Sequence, residues 1–264
     1  MNKASFTRNI MAKWKTCTTL HLEQLVRDEL RMTDSAFRQL LCRLRADRHI
    51  FTSYFPDYTL HFDRGSYRRW KFLEELPDTE REKFVSKSGI EHNLEMLGLS
   101  IQLKRLWPEF DVIPNVLAEK AVNTFGNHDR REKHIPDLVL RSSSYDSSFI
   151  YVEVERSLKE RGRYVRKWTA YEGDFSVGAC LYWISDKRIL SRLVSDAAEF
   201  FSRGLGFEDF RIGFISSEDF AQRSNHVEVE VVSAAGRSAQ RLDSVFAQSK
   251  AVRRSELQLQ RGAN

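Results

Sequence analysis

Several common features are scarce or missing in this sequence. In its 264 residues no apolar run approaches the ~20 residues that a membrane-spanning helix needs. The three cysteines are widely spaced and odd in number, so they predict neither a zinc site nor a disulfide framework. Residues 1–15 include basic side chains but no apolar segment of the kind found in secretory signals. We therefore expect a cytoplasmic protein that does not associate with membranes.

Common catalytic motifs are missing as well. The sequence contains no glycine-rich phosphate-binding loop, no metal-binding pair of cysteines and no nucleophile elbow. ATPase and serine-hydrolase functions therefore have no support. There is also no evident internal repeat or low-complexity segment.

The composition favours a globular protein with a mildly basic surface. Hydrophobic residues make up 41% of the chain and charged residues 30%, which is enough for real cores and a polar exterior. The formal net charge is +5, a value that permits nucleic-acid binding without requiring it. Arginine and lysine concentrate in four segments: 38–48, 64–71, 130–133 and 156–167.

The N-terminal part predicts two helices followed by a hairpin. Leucines and a valine between Leu20 and Leu30 recur at helical spacing after Thr18-Thr19, a helix cap. A second cap at Thr33 precedes a helix with apolar positions Phe37, Leu40, Leu41 and Leu44. Two short β-type runs, residues 50–55 and 59–62, then flank a turn at Pro56.

This order resembles a winged helix-turn-helix, in which the second helix enters the DNA major groove and the hairpin contacts phosphates. The resemblance implies DNA contacts on the second helix, made by Ser35, Arg38, Gln39 and Arg43, with Arg45 at the DNA backbone. Two alternatives remain open. The arginines could be only the solvated face of a helix, and winged helices also bind proteins.

A linker is predicted between about residue 77 and residue 88, where Pro77 and acidic residues follow a basic, aromatic helix. It divides the chain into a DNA-binding domain, 1–77, and a second domain, 78–264. The second domain begins with a long helix from about Ser88. We expect a strand at 227–232 and, from Ser238, a helix that runs into a polar tail.

A predicted β-hairpin holds the most informative residues of the second domain. Its strands are His134 to Leu140 and Phe149 to Ser157, joined by a serine-rich turn. Because side chains alternate along a strand, Glu153 and Glu155 share one face, and the simplest register puts Asp137 close to them. Three neighbouring carboxylates repel one another unless a divalent cation or raised pKa values relieve the repulsion.

This hairpin resembles the PD-(D/E)xK nuclease superfamily, with Pro136-Asp137 as the PD and Glu153-Val154-Glu155 in the place of (D/E)xK. The predicted order of helix, three strands, helix and strand is that of the superfamily's core. We therefore expect an α/β domain, in a chain that is α+β overall, with a restriction-endonuclease-like αβββαβ core and a mixed central sheet. The resemblance further implies Mg²⁺ bound by Asp137 and Glu153, a third oxygen from the Val154 carbonyl, and a contribution from Glu91 on the first helix.

Glu155 departs from the motif, because a lysine normally stands there. The lysine could come instead from the next helix, where Lys159, Arg163 and Lys167 repeat every four residues. Glu155 could also act as a third ligand or as a base, or the site could be inactive. A fourth interpretation is that Glu153 and Glu155 are simply the exposed face of an edge strand, paired with arginines.

A narrower resemblance is to the replication-relaxation family of plasmids and integrative elements, whose members join a winged-helix region to a nuclease-like domain. It is carried by Glu91-His92, Pro136-Asp137, Glu153-Val154-Glu155, Lys167 and Tyr171. It implies a double-stranded DNA partner and a role in mobile-element replication, mobilisation or defence. The chain would be a metal-dependent endodeoxyribonuclease, a non-enzymatic DNA-binding factor with a degenerate nuclease fold, or a protein adaptor. The oligomeric state stays open, and a homodimer is one option.

Two further features near the motif are less specific. His134 could reach phosphate or metal, but a lone histidine in a basic loop is more often ordinary surface. The run Arg130-Arg131-Glu132-Lys133 is either a DNA-contacting loop or a solvated one. Trp168 and Tyr171 are expected to pack their helix onto the sheet.

Overall fold

The structure is a computed structural model that describes residues 2–54, 59–74, 90–108, 110–114, 135–142, 149–172, 177–206, 210–223, 227–242 and 244–245. The chain divides into two compact units, Met1–Gln102 and Leu103–Asn264. The linker predicted at 77–88 falls in residues 75–89, outside the described part. Within the described ranges no helix is both long and apolar enough to cross a membrane.

The N-terminal unit combines helices with a small antiparallel sheet. Its helices are α1 (Lys3–Trp14), α2 (Thr19–Leu22, continued by a π-helical segment Glu23–Asp28), α3 (Asp34–Ala46), α4 (Arg64–Glu74) and most of α5 (Ile90–Leu106). The strands are β1 (Thr16–Thr18), β2 (Phe51–Tyr54) and β3 (Thr59–Phe62). They form a three-stranded sheet in the order β1-β3-β2.

Helix α3 forms as its sequence predicts. The Thr33 hydroxyl caps its first turn by accepting the Ala36 backbone N–H at 3.3 Å. The apolar positions on one side are all buried: Phe37, Leu40, Leu41 and Leu44. The predicted helix and its buried face are therefore confirmed, and the opposite side is left to polar residues.

A buried histidine joins α2 to the sheet. His61 on β3 is 2% exposed, and its ring nitrogens lie 2.9 Å from the Thr19 hydroxyl and 3.3 Å from the Thr52 hydroxyl. Burial lowers its pKa to about 4, and the charge of Arg45 acts in the same direction. His61 is thus held neutral at physiological pH.

The C-terminal unit is built on a seven-stranded mixed sheet. Its strands are β4 (Phe110–Pro114), β5 (Leu138–Ser142), β6 (Phe149–Glu155), β7 (Val177–Ile184), β8 (Arg211–Ser216), β9 (Glu228–Ser233) and β10 (Gly236–Arg241). They lie side by side in sequence order. The pairs β6–β7 and β7–β8 are parallel, and the remaining pairs are antiparallel. The mixed α and β architecture expected from the sequence is therefore confirmed.

Helices bury both sides of this sheet. Helix α6 (Arg161–Glu172) and helix α7 (Lys187–Ser202) contribute to one aromatic core, in which the Trp168 indole N–H donates to the Tyr182 hydroxyl at 3.0 Å. On the other face, α8 (Ser217–Arg223) brings Phe220 edge-on to Trp183, with ring centroids 4.4 Å apart. Every residue of β6 is buried.

The structure corrects the sequence-based prediction at the C-terminal end of the sheet. The strand expected at 227–232 exists as β9, but the helix expected from Ser238 is wrong for residues 238–241. Residues Gly236–Arg241 instead form β10, which pairs antiparallel with β9. This segment is polar and mostly exposed, so its strand conformation comes from pairing with β9 rather than from an apolar pattern. The tail from 246 onward lies outside the described residues.

Candidate active site

The candidate active site lies where β5 begins and β6 ends. The two strands pair antiparallel with Leu138 opposite Val152, so extending the register by one residue puts Asp137 opposite Glu153. The Asp137 carboxylate accepts the Val154 backbone N–H at 2.8 Å. Asp137 therefore lies beside the glutamates, as the hairpin register predicts.

Glu153 is bound by two side chains from α6. It is only 3% exposed, and its Oε2 lies 2.7 Å from the Lys167 ammonium. The Tyr171 hydroxyl donates to Oε1 of the same carboxylate. Because Lys167 and Tyr171 are one helical turn apart, both reach down from the same face of α6. Each oxygen of Glu153 thus has a hydrogen-bond donor.

The buried pair of Glu153 and Lys167 shows opposing electrostatic effects. Burial raises the pKa of Glu153 to about 7, and the nearby charge of Asp137 adds to this, while Lys167 and Tyr171 act against it. Burial alone would lower the pKa of Lys167, but the charge and hydrogen bond of Glu153 outweigh it and raise the pKa. Lys167 is therefore a cation, and Glu153 changes its charge near neutral pH.

Glu155 has a similar set of partners. It is 4% exposed and forms an ion pair with Lys159, whose backbone N–H donates to the Tyr164 hydroxyl at 3.0 Å. Each buried glutamate of β6 thus has its own lysine, and each of these lysine–glutamate pairs also has a tyrosine hydroxyl bonded to it. The edge-strand interpretation of Glu153 and Glu155 is wrong, because both are buried and β6 lies in the middle of the sheet.

The three basic residues after the hairpin do not share one helical stripe. Helix α6 begins at Arg161, so Lys159 precedes it. Lys159 reaches Glu155, Lys167 reaches Glu153, and Arg163 is exposed. Of the three residues, Lys167 is the one that contacts Glu153, the carboxylate opposite Asp137 in the register.

The two tyrosines are the residues that sequence reasoning missed in this role. Tyr171 carries part of the narrower family resemblance and is expected to pack its helix. It is buried in the core, and its hydroxyl also binds Glu153, a contact that the sequence analysis does not predict. The four-residue spacing from Lys167 to Tyr171 could have indicated this, since it puts both side chains on one face. Nothing in the sequence pairs Tyr164 with Lys159.

Glu91 lies in the other unit. It is exposed in the first turn of α5, within the N-terminal unit, and its predicted part in the metal site stays a prediction. His134 and the run from Arg130 to Lys133 fall outside the described residues.

The predicted DNA-contacting residues line the polar side of α3. Ser35, Arg38, Gln39 and Arg43 are all exposed. Arg45 is half-buried, and its guanidinium donates to the Tyr54 hydroxyl on β2 at 2.9 Å. Arg45 therefore ties α3 to the hairpin, while the other four face outward.

The carboxylates are suitable for a hard cation. Asp137 and Glu153 offer the oxygen donors that Mg²⁺ prefers in proteins. In the described part of the chain, no group of three or more His, Cys, Asp or Glu side chains is arranged to hold a metal ion. A cation here would depend on two carboxylates, with further oxygens from backbone, water or substrate.

Comparison of the chain with protein-family models, with curated proteins and with solved structures gave no match.

Proposed function

We propose that this is a DNA-binding protein with a metal-dependent endodeoxyribonuclease site formed by Asp137, Glu153 and Lys167. The observation that carries the proposal is the 2.7 Å contact between the Lys167 ammonium and Glu153. It supplies, from the following helix, the cation that the motif lacks at Glu155. A lysine beside paired carboxylates is a combination suited to phosphodiester cleavage, since negative charge develops on the phosphate.

Strand order supports a restriction-endonuclease-like core. The strands β4 to β7 follow sequence order, β5 runs antiparallel to both neighbours, and α6 connects the parallel strands β6 and β7. This matches the three strands, helix and strand of the expected core. A replication-relaxation-like protein that acts in mobile-element replication, mobilisation or defence is the proposal that combines this core with the N-terminal unit.

The N-terminal unit supports a winged helix-turn-helix. Helix α3 follows α2 and precedes the hairpin β2–β3, and β1 completes the small sheet. The exposed side of α3 carries two arginines, Arg38 and Arg43, which suits a negatively charged duplex. Arg45 couples the helix to the hairpin through Tyr54, so the two would approach DNA as one body.

Each residue of the site would have a separate role in phosphodiester cleavage. Asp137 and Glu153 would hold Mg²⁺, which when bound polarises phosphate oxygens and lowers the pKa of a coordinated water. Lys167 would stabilise charge on the phosphate, and the Tyr171 hydroxyl would orient Glu153. Glu155 and Lys159, paired with each other, would hold the segment between β6 and α6 in position.

The test is nicking of supercoiled plasmid in Mg²⁺ and in Mn²⁺. We expect cleavage by the wild-type protein, loss of cleavage in Asp137→Ala, and a large loss in Lys167→Ala. Arg166→Ala is the control, because it removes one positive charge from an exposed position of the same helix and should retain activity. Cleavage that survives Asp137→Ala would exclude this site as the source of the activity.

A second candidate function, DNA binding without cleavage, is favoured by the burial of Glu153. Both of its oxygens are already bonded within the protein, and Asp137 is bonded to the Val154 N–H. In that case the wild-type protein would leave plasmid intact in both metals yet bind DNA in a salt-sensitive way, and Asp137→Ala would bind equally well. Binding to a protein partner without salt sensitivity would instead indicate an adaptor.

A further inference from the structure

A second basic surface in the N-terminal unit lies on α4. Arg64, Arg68 and Lys71 are exposed and are spaced by four and three residues, so they share one face of the helix. We call these three residues the α4 basic stripe. The proposed DNA contact on α3 does not include them.

Some of the other arginines among the described residues have carboxylate partners. Seven of them form ion pairs: Arg27, Arg141, Arg161, Arg188, Arg192, Arg203 and Arg237. Among the described residues, the side chains of the α4 basic stripe have no such partner. Their charges are therefore not neutralised by the neighbouring residues that the structure describes.

Helix stability does not account for this arrangement. Like charges four residues apart, as at Arg64 and Arg68, repel each other. Arg64 also stands in the first helical turn, where the helix dipole disfavours a positive charge and where α4 has no acidic residue. The helix start depends instead on Asp63, whose carboxylate accepts the Ser66 N–H at 2.8 Å. A partner that is negatively charged would explain the three cations.

The stripe is rigidly attached to the hairpin. Only Asp63 separates the end of β3 from the start of α4. The Tyr67 ring of α4 stacks on Phe51 of β2, with ring centroids 4.6 Å apart. The Asp63 backbone N–H also donates to the Lys15 carbonyl at 2.9 Å. Helix α4 therefore keeps a fixed position relative to the hairpin β2–β3, and a partner that binds the hairpin would also lie near α4.

We infer that the α4 basic stripe binds the DNA phosphate backbone beside the site contacted by α3 and the hairpin. This inference rests on the proposed DNA-binding function. Three cations spaced along one helix face fit phosphates, which recur along a strand, better than they fit a single small anion. The stripe would contribute affinity without sequence preference.

The test is the salt dependence of binding to a fluorescein-labelled duplex of about 30 base pairs, long enough to span a single module and its flanks. Arg64→Gln/Arg68→Gln/Lys71→Gln is compared with Lys187→Gln/Arg192→Gln/Arg203→Gln. This control removes the same charge from exposed, carboxylate-paired residues along α7 and at its C-cap. The slope of log Kd against log salt should fall by about 0.9 for each phosphate that the variant no longer neutralises, so by about 2 to 3 in the α4 variant and by much less in the control. Circular dichroism checks that both variants fold.

Equal slopes in the wild type and the α4 variant would overturn this inference while leaving DNA binding through α3 intact. Equal losses in both triple variants would also overturn it, because net charge rather than position would be responsible. Failure of the wild type to bind any duplex would instead contradict the proposed function. Binding of polyglutamate as strong as that of DNA, abolished in the α4 variant, would point to an acidic protein and also overturn the inference.

Discussion

The Asp137 carboxylate accepts the backbone N–H of Val154, the residue between the two buried glutamates of β6. This bond gives Asp137 a structural role beside its proposed catalytic one. Pro136, which precedes Asp137, has no backbone N–H and cannot donate a hydrogen bond to a neighbouring strand. The two roles of Asp137 can be separated by choice of substitution.

We expect Asp137→Asn to remove cleavage at little cost in stability, because the amide oxygen can still accept the Val154 N–H. Asp137→Ala should lower the free energy of unfolding by about 1–3 kcal/mol more than Asp137→Asn, since it leaves a partly buried N–H without an acceptor. Urea unfolding of the two variants measures the difference. Equal stabilities would show that the hydrogen bond contributes nothing.

Lys167→Met tests the buried ion pair. The folded pKa of Glu153 is about 7, above its ordinary value of 4.5, so the folded state binds more protons between these values and stability falls as pH rises from 4.5 to 7. At a pH of about 8, above the folded pKa, Glu153 is ionised, and removing Lys167 leaves this carboxylate without its cation. We expect the free energy of unfolding to fall there by about 3–5 kcal/mol. Below the folded pKa, at a pH of about 5, the loss should be smaller, because Glu153 is protonated.

The measurement is urea unfolding in EDTA at the two pH values. Lys187→Met is the control, since Lys187 and its partner Glu218 are both exposed and their ion pair should be worth about 1 kcal/mol or less. A loss in Lys167→Met that does not change with pH would contradict the assigned titration of Glu153.

The titration of His61 should make the stability of the N-terminal unit depend on pH in the direction opposite to that expected from Glu153. The pKa of His61 is lowered to about 4 from 6.5, so the unfolded state binds more protons between these values and stability falls as pH drops from 6.5 towards 4. The full effect is roughly 3 kcal/mol. His61→Gln should flatten this dependence in thermal or urea unfolding. An unchanged profile in His61→Gln would exclude His61 as the source.

On α3, Arg38→Ala and Arg43→Ala should each weaken DNA binding about tenfold or more without unfolding the domain, because both side chains are exposed. Arg45→Ala should behave differently and also lower stability, since its guanidinium binds Tyr54. Arg188→Ala, on α7 of the C-terminal unit, controls for net charge. Fluorescence anisotropy with duplex DNA measures the affinities. Wild-type affinity in both Arg38→Ala and Arg43→Ala would remove the recognition-helix assignment.

The elements that could be predicted from sequence are those whose pattern is strong and local. Helix α3 has its cap and four apolar positions, and the sequence of β5 and β6 has two apolar runs separated by a serine-rich segment. Strand β1 escapes prediction because three residues, Thr16–Thr18, are too few to show alternation. Strand β10 differs from the helix expected there because its residues become a strand only through pairing with β9.

The carboxylates of the candidate site were predictable, but their environment was not. Alternation along β6 puts Glu153 and Glu155 on one face, and a polar face is normally exposed. Their burial follows from α6 and from the position of β6 inside the sheet, both of which depend on residues distant in sequence. The hydroxyl of Tyr171 reaches Glu153 for the same reason.

The order of the seven strands also bears on how the chain folds. Each strand pairs with its neighbour in sequence, so every new pair closes a comparatively short loop, and sheets with local pairing fold faster than sheets with distant pairing. During synthesis, β4, β5 and β6 can pair before β7 has emerged. Glu153 and Glu155 would then stay hydrated until α6 and β7 are made. We therefore expect the two charges to be buried at a late step of folding, when Lys159 and Lys167 are already present to compensate the cost.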